Sequence, residues 1–281
     1  MSCRMAVSFV IAFLIAACSE TNGPLSPQYT SEGKKALVIV VENNDGLLFS
    51  QAEFFFQTQY KKELLQIFSD MFEVSEYEMQ NMSLNEIIEL HGEEWQLNSI
   101  NNAGTGYYDK IIQLSDANAK RGILLNELTA LAKEEYCIDM VFCLHGDNDN
   151  FYLSDGAVNV RAFCSDLKKE NIQIRSLYQT CCHSSISMKG WIDYGIYAVN
   201  GAKAVNSITM FSPAYFVESF VSGMSFNDAV YLAFDRELDK ISSYDYILPV
   251  SAFLLNDQIL EDSKQKTGGK DKNIRFINTL P

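Results

Sequence analysis

The sequence predicts an α/β protein, a three-layer α/β/α sandwich around a mostly parallel central sheet. Three observations carry the prediction. Residues 36–41 (Ala-Leu-Val-Ile-Val-Val) and 138–144 (Ile-Asp-Met-Val-Phe-Cys-Leu) are nearly continuous apolar runs, the mark of strands buried on both faces. A further hydrophobic segment, residues 172–180, follows the second run after a polar turn and a stretch whose apolar residues (Val160, Phe163, Cys164, Leu167) recur at helical spacing. Strand, helix and strand in that order close with the strands parallel, the crossover right-handed and both carboxyl ends on one edge of the sheet.

Size and composition bound the rest. A chain of 281 residues that is 47% hydrophobic and 12% aromatic buries a substantial core and is not disordered. A formal charge of -14 argues against nucleic acid as a partner, because phosphate is repelled; basic peptides suit it better. Of the seven cysteines, Cys3 and Cys18 fall in the amino-terminal leader and Cys137, Cys143, Cys164, Cys181 and Cys182 in the globule. An odd number there leaves at least one thiol unpaired within the chain. No Cys-x-x-Cys pair occurs, and His91, His145 and His183 lack zinc-site spacing, so neither a disulfide scaffold nor a zinc site is expected.

Arg4 precedes an apolar run, residues 5–17, broken only by Ser8; it is too short to span a bilayer and has the length of a signal-peptide core. It ends Leu14-Ile15-Ala16-Ala17-Cys18, which resembles a bacterial lipobox and implies lipidation of Cys18; the alternative is an ordinary cleaved leader. The expected organisation is a signal peptide (1–17), a polar tether (18–33) with Pro24 and Pro27, a globular domain (34–262) and a polar, mobile carboxyl-terminal tail (263–281). The mature protein would then sit in the bacterial cell envelope, held to a membrane by lipid alone.

Within the domain, residues 36–41 form the first strand, 43–46 a turn and 50–68 a helix with Phe54, Phe55, Leu64, Leu65 and Phe68 on one face. Residues 72–79 alternate apolar with acidic and read as an edge or second strand. Ser83 and Glu86 have capping-box spacing. Residues 92–116 read as the least regular part, and their Gly104-Thr105-Gly106 as a loop. Residues 117–135 form a helix leading into the 138–144 strand. Later come a helix at 187–194, a strand at 195–201, and helical pattern over 215–234 interrupted at Gly223, with Ser225 able to cap its second piece.

The chemistry gathers where two strands end. Residues 138–144 stop at His145-Gly146-Asp147, and residues 172–180 stop at Cys181-Cys182-His183-Ser184-Ser185. On adjacent parallel strands His145 and a cysteine emerge side by side at the edge where open α/β sheets hold their sites. A thiol beside an imidazole is the usual activated sulfur nucleophile. Cys181 and Cys182 point to opposite faces if the strand persists, so only one faces His145. Cys182, at the very end and nearer the following helix amides, is the stronger candidate. The other readings are a Cys181 nucleophile, two buried small hydrophobes, or a vicinal disulfide. His183 diverges from its neighbour and ranks below His145, while His91 follows a helical rather than a strand pattern.

These residues carry a resemblance. An apolar strand ending in His145-Gly146, then a second ending in a small residue, a cysteine and a small-residue turn over residues 178–185, is similar to the caspase-like (clan CD) cysteine peptidases, the group of caspases, legumain, gingipains and clostripain. The segments 174–195 and 205–207 also resemble caspase-like lipoproteins of gut Bacteroidetes, which are more glycine-rich after the cysteine than His183-Ser184-Ser185. The caspase Gln-Ala-Cys-x-Gly signature is absent. The resemblance spans residues 35–234 and implies a Cys182–His145 dyad acting on peptide or protein substrates, without a required third member and with no metal or organic cofactor needed for the chemistry. It further implies an oxyanion site of Gly146 and Cys182 N–H groups, and a substrate pocket walled by Asn200, Lys203, Asn206 and Ser207. The acidic charge favours a basic residue before the cut. Asp147, next to the histidine, has two readings, first a solvated turn residue and, behind it, a group that orients His145. The alternative function is a catalytically idle member of the fold, serving as a surface binding or scaffold lipoprotein.

Overall fold

The computed structural model describes residues 33–42, 61–206, 209–243 and 257–278. Cys18, the leader, the tether before residue 33, the turn at 43–46, most of the expected 50–68 helix and Ser207 lie outside them.

The central sheet has six strands in the order β2-β1-β3-β6-β7-β8. These are β1 (Lys35–Glu42), β2 (Lys110–Ser115), β3 (Cys137–Leu144), β6 (Ile174–Gln179), β7 (Ala198–Ala202) and β8 (Gln265–Gly268). A hairpin of β4 (Asn150–Leu153) and β5 (Gly156–Asn159) stands apart from the sheet. The first five sheet strands pair in parallel, and only β8 runs antiparallel, against β7. Helices cover both faces, so the architecture is an α/β/α sandwich. On one face α5 (Arg121–Lys133), α6 (Val160–Lys169) and α7 (Ser184–Tyr194) pack on Val38, Val40, Met140, Phe142 and Leu177. On the other, α4 (Glu93–Gly104), α8 (Ser212–Val221) and α9 (Phe226–Ser242) pack on Leu37, Ile39, Val41, Val141, Cys143 and Tyr178. Strand alternation does the sorting: even residues of β1 and β3 face one layer, odd residues the other.

The buried β-branched runs, the 117–135 helix and the α6 crossover form as the pattern predicts. Ser83 and Glu86 close a capping box, with Ser83 N–H donating to Glu86 Oε2 at 2.7 Å and Glu86 N–H to Ser83 Oγ at 3.2 Å. Ser225 caps α9 by accepting from Asp228 N–H at 3.1 Å.

Three expectations are corrected. Residues 72–79 are not a strand: α1 (Lys61–Phe72) ends there, and α2 (Glu76–Met79) follows, capped by Ser75. Their acidic–apolar alternation meets helical burial instead, with Met79 packed among Leu64, Phe68 and Phe72 beside α3 (Leu84–Ile87). Residues 92–116 are irregular only at the turn over 105–109, where the expected loop forms. After a π-helical turn at Ile88–Gly92 they form α4, which buries Ile100 and Gln96, and then β2, the second strand. β2 is an edge strand only partly buried, so its residues need no strong apolar pattern.

The segment 263–272 is not a mobile tail. Gln265–Gly268 pairs with β7, and Asp271 and Lys270 donate N–H bonds to Tyr197 O and Ile196 O at 2.8 and 3.1 Å. A short, lysine-bearing edge strand is held by backbone pairing rather than by apolar side chains, which is why composition alone reads it as loose. Beyond it Ile274 and Phe276 are buried. Arg175, fully buried in β6, donates from Nε to Asp139 Oδ1 at 2.9 Å and from Nη1 to Phe276 O at 2.8 Å, and also reaches Asp139 Oδ2 and Asn278 O. Tyr108 and Ser176 complete the cluster by donating to the Asp139 carboxylate at 2.9 and 2.6 Å.

Candidate active site

The site lies at the carboxyl ends of β3 and β6. The two strands pair with Val141 opposite Tyr178 and Phe142 opposite Gln179, and Thr180 N–H continues the ladder by donating to Phe142 O at 2.9 Å. Beyond this pairing the chain leaves β3 through His145 and Gly146 and leaves β6 through Cys181 and Cys182, at neighbouring strand ends. Leu144 and Cys181 both belong to the core on the α5–α7 face, while His145 and Cys182 follow them in the turns beyond the two strands. Gly146 lies directly against the cysteine turn: a Cβ built on it would stand 2.7 Å from Cys181 Cβ and 3.1 Å from Cys182 O.

Cys181 is 2% exposed and Cys182 8% exposed. Burial pushes the Cys181 thiol far above its ordinary range, and the neighbouring Cys182 adds to the push. Burial also raises the Cys182 thiol, but two backbone N–H groups, those of Asn206 and of Cys182 itself, work against it. The Asn206 N–H donates to Cys182 Sγ at 3.4 Å. All five described cysteines are free thiols, so the vicinal pair is not bridged.

The turn after Cys182 is built tightly. His183 adopts a left-handed conformation (φ 55°) and its N–H donates to Ala204 O at 2.7 Å. A left-handed residue other than glycine costs about 1 kcal/mol; here histidine bears it. Ser184 Oγ donates to Cys181 O at 2.5 Å and accepts from Ala202 N–H at 2.9 Å, tying the turn to β7. Gly201 is required at that crossing, since a Cβ on it would lie 2.6 Å from the Ser184 carbonyl carbon.

The histidine turn is fixed by Asp147. Its carboxylate accepts from Asp149 N–H and Asn150 N–H at 2.9 Å each, from Asn150 Nδ2 at 3.0 Å and from Tyr152 Oη at 2.8 Å. Partial burial alone would raise its pKa, but these bonds outweigh it and hold the carboxyl below its ordinary value. Asp147 is therefore committed to shaping the turn, and Tyr152 N–H returns to donate to His145 O at 3.1 Å. Half-buried His145 is thus held from both sides of the hairpin. No acceptor among the described residues meets the Gly146 N–H.

The expected pocket residues separate. Asn200 does not face an opening: it is fully buried and bridges three strands, accepting from Gln179 N–H at 2.7 Å and donating to Gln179 O and Gln265 Oε1 at 2.9 Å each. Its position in the middle of β7, between β6 and β8, commits the amide to the sheet. Lys203 is exposed and paired with Glu261. Asn206 is 5% exposed and touches the Cys182 sulfur.

Several charged side chains are buried, among them Asp139, Arg175 and Glu237. The Asp139–Arg175 pair had a signal, opposite charges inside two neighbouring hydrophobic strands. Glu237 had none: it is a helix residue, 1% exposed, whose carboxylate accepts the N–H groups of Met210, Phe211 and Ser212 at 2.6, 3.1 and 2.7 Å.

Fold and edge together define an α/β/α sandwich with a cysteine and a histidine at neighbouring parallel strand ends. No family model and no curated protein matches the chain. Among solved structures it is similar to iotapain, a secreted C11 cysteine protease from Bacteroides thetaiotaomicron, at 10% identity and a TM-score of 0.31, over 65% of this chain and 61% of that one. The chain thus spans 61% of the length of that structure. At this depth of likeness the roles of individual residues rest on their own geometry. Among the described residues no helix is long and apolar enough to cross a membrane.

Proposed function

We propose that the protein is a caspase-like cysteine endopeptidase, anchored in the bacterial envelope by a lipid on Cys18. Cys182 Sγ attacks the scissile carbonyl while its proton passes to His145; His145 then protonates the departing amine, and water hydrolyses the thioester. The N–H groups of Gly146 and Cys182 receive the oxyanion. The observation that carries the reading is the parallel β3–β6 pairing, whose carboxyl ends, one followed by His145 and the other by Cys181 and Cys182, are neighbours on one edge of the sheet. The Gly146 N–H, without an acceptor among the described residues, supports the oxyanion role. Because burial raises the Cys182 thiol, the resting sulfur is protonated at neutral pH and needs a base during attack. The net charge of -14 favours peptides with a basic residue before the cut.

One observation favours a second reading, that of an idle member of the fold acting as a surface binding module: Cys182 is only 8% exposed. Labelling by a lysine-terminated peptide acyloxymethyl ketone separates the two. The peptidase reading expects labelling of the wild type and of Cys181→Ala, and none of Cys182→Ala. Equal labelling of wild type and Cys182→Ala, or no labelling of either, removes it.

A further inference from the structure

Asn206 is held in an unusual way, and its role builds on the reading of Cys182 as nucleophile. Its backbone N–H donates to Cys182 Sγ at 3.4 Å, and its side-chain Nδ2 donates to Thr180 O at 3.0 Å. One residue thereby grips the segment after β6 at two points, a carbonyl and the sulfur itself. The remaining polar atom, Oδ1, is buried and meets no donor among the described residues. An unpaired buried acceptor costs stability, and alanine or leucine would carry no such cost. Packing therefore does not account for asparagine here; the Nδ2 bond to Thr180 O, which alanine or leucine cannot make, does.

The chain just beyond is pinned as well. Gln96 Nε2 of α4 donates to Thr209 O at 2.8 Å, and Glu237 of α9 accepts three consecutive N–H groups from Met210 to Ser212. On the other side Ala204 N–H donates to Asp262 O at 2.8 Å. Asn206 thus sits between two anchored stretches.

We propose that Asn206 is a positioning residue for Cys182: its side-chain bond to Thr180 O holds the Asn206 N–H on the sulfur, where it stabilises the thiolate as it forms. Hydrogen bonds to an ionised partner are about twice as strong as neutral ones, so this donor favours the charged sulfur over the neutral one. Other titratable groups at this edge include Cys181 and His183 beside Cys182 in the chain, His145, Asp147 and Asp149 on the β3 turn, Glu42 at the end of β1 opposite Leu144, and Lys203 on the loop of Asn206.

The test is alkylation of the full-length protein with iodoacetamide between about pH 6 and pH 10, with the rate at Cys182 resolved from that at Cys181 by tandem mass spectrometry. In Asn206→Ala and in the similarly sized Asn206→Leu, the alkylation midpoint should rise by about one pH unit and the neutral-pH rate fall about tenfold. Cooperative thermal unfolding identifies the variants that are folded. An unshifted midpoint in either folded variant overturns the proposal. Alkylation requires no peptidase activity, so a shifted midpoint in a protein that the peptide probe never labels would sink the peptidase reading while leaving this bond in place.

Discussion

Gly146→Ala tests the site at its tightest point. The Gly146 backbone is not left-handed, so alanine is not excluded by its φ, and the cost is contact alone. The new Cβ would meet Cys181 Cβ at 2.7 Å, Cys182 O at 3.1 Å and Asn150 O at 3.2 Å. Carbon atoms in ordinary contact stand about 3.5–4.0 Å apart, so the two turns must part by on the order of 1 Å. None of these atoms is the loose end of a flexible side chain: two are backbone, and Cys181 is packed in the core. Overpacking of this kind costs about 1–3 kcal/mol. A displacement of about 1 Å between reacting groups costs on the order of 100-fold in rate. Gly146→Ala should therefore remain folded, lose about 1–3 kcal/mol in urea unfolding and label with the peptide probe roughly 100-fold more slowly. Gly122→Ala in α5, where an added Cβ meets nothing within 4 Å, is the control and should be neutral or slightly stabilising. Adding Cys181→Gly removes the closest contact and should restore part of the rate. A folded Gly146→Ala protein that labels within about twofold of the wild type would refute the idea that this close approach sets the reactive geometry.

Asn200→Ala leaves the Gln179 N–H without its buried acceptor and should cost about 1–3 kcal/mol in denaturant unfolding; a smaller loss would mean the amide does not knit β6 to β7. Arg175→Met strands the buried Asp139 carboxylate and frees two carbonyls near the carboxyl terminus, so a loss of about 3–5 kcal/mol is expected. The double variant Asp139→Leu/Arg175→Met should recover much of it, and limited proteolysis after residue 270 should accelerate in the single variant. Asp147 has a lowered folded-state pKa, so its contribution is present above the ordinary carboxylate value and is lost as pH falls through the folded value. The stability gap between wild type and Asp147→Asn should consequently be widest near neutrality and narrow below about pH 4; a gap independent of pH would contradict it.

Much of the architecture was legible because buried parallel strands and amphipathic crossovers write themselves in apolar spacing. Residues 36–41 and 138–144 had to be interior strands: runs so continuously apolar have no solvent face. The elements that escaped are those whose stability comes from backbone pairing or from partners distant in the chain. β2 and β8 lie on sheet edges, where lysine and glutamine are as acceptable as valine. α4 is held by Ile100 and Gln96 reaching other layers rather than by a broad apolar stripe.

The same division runs through the candidate site. Sequence alone determined that one histidine and a pair of cysteines end neighbouring strands, since chain order and crossover rules constrain which edge they reach. Which sulfur lies with the core depends on register, where a slip of one residue exchanges faces, and so only the folded sheet decided that it is Cys181. It likewise separated Asn200 from Asn206, two asparagines of one short segment, by burying the first between strands and setting the second on the sulfur. Local sequence determines what each residue can donate or accept; the tertiary structure alone determines which partner is within reach.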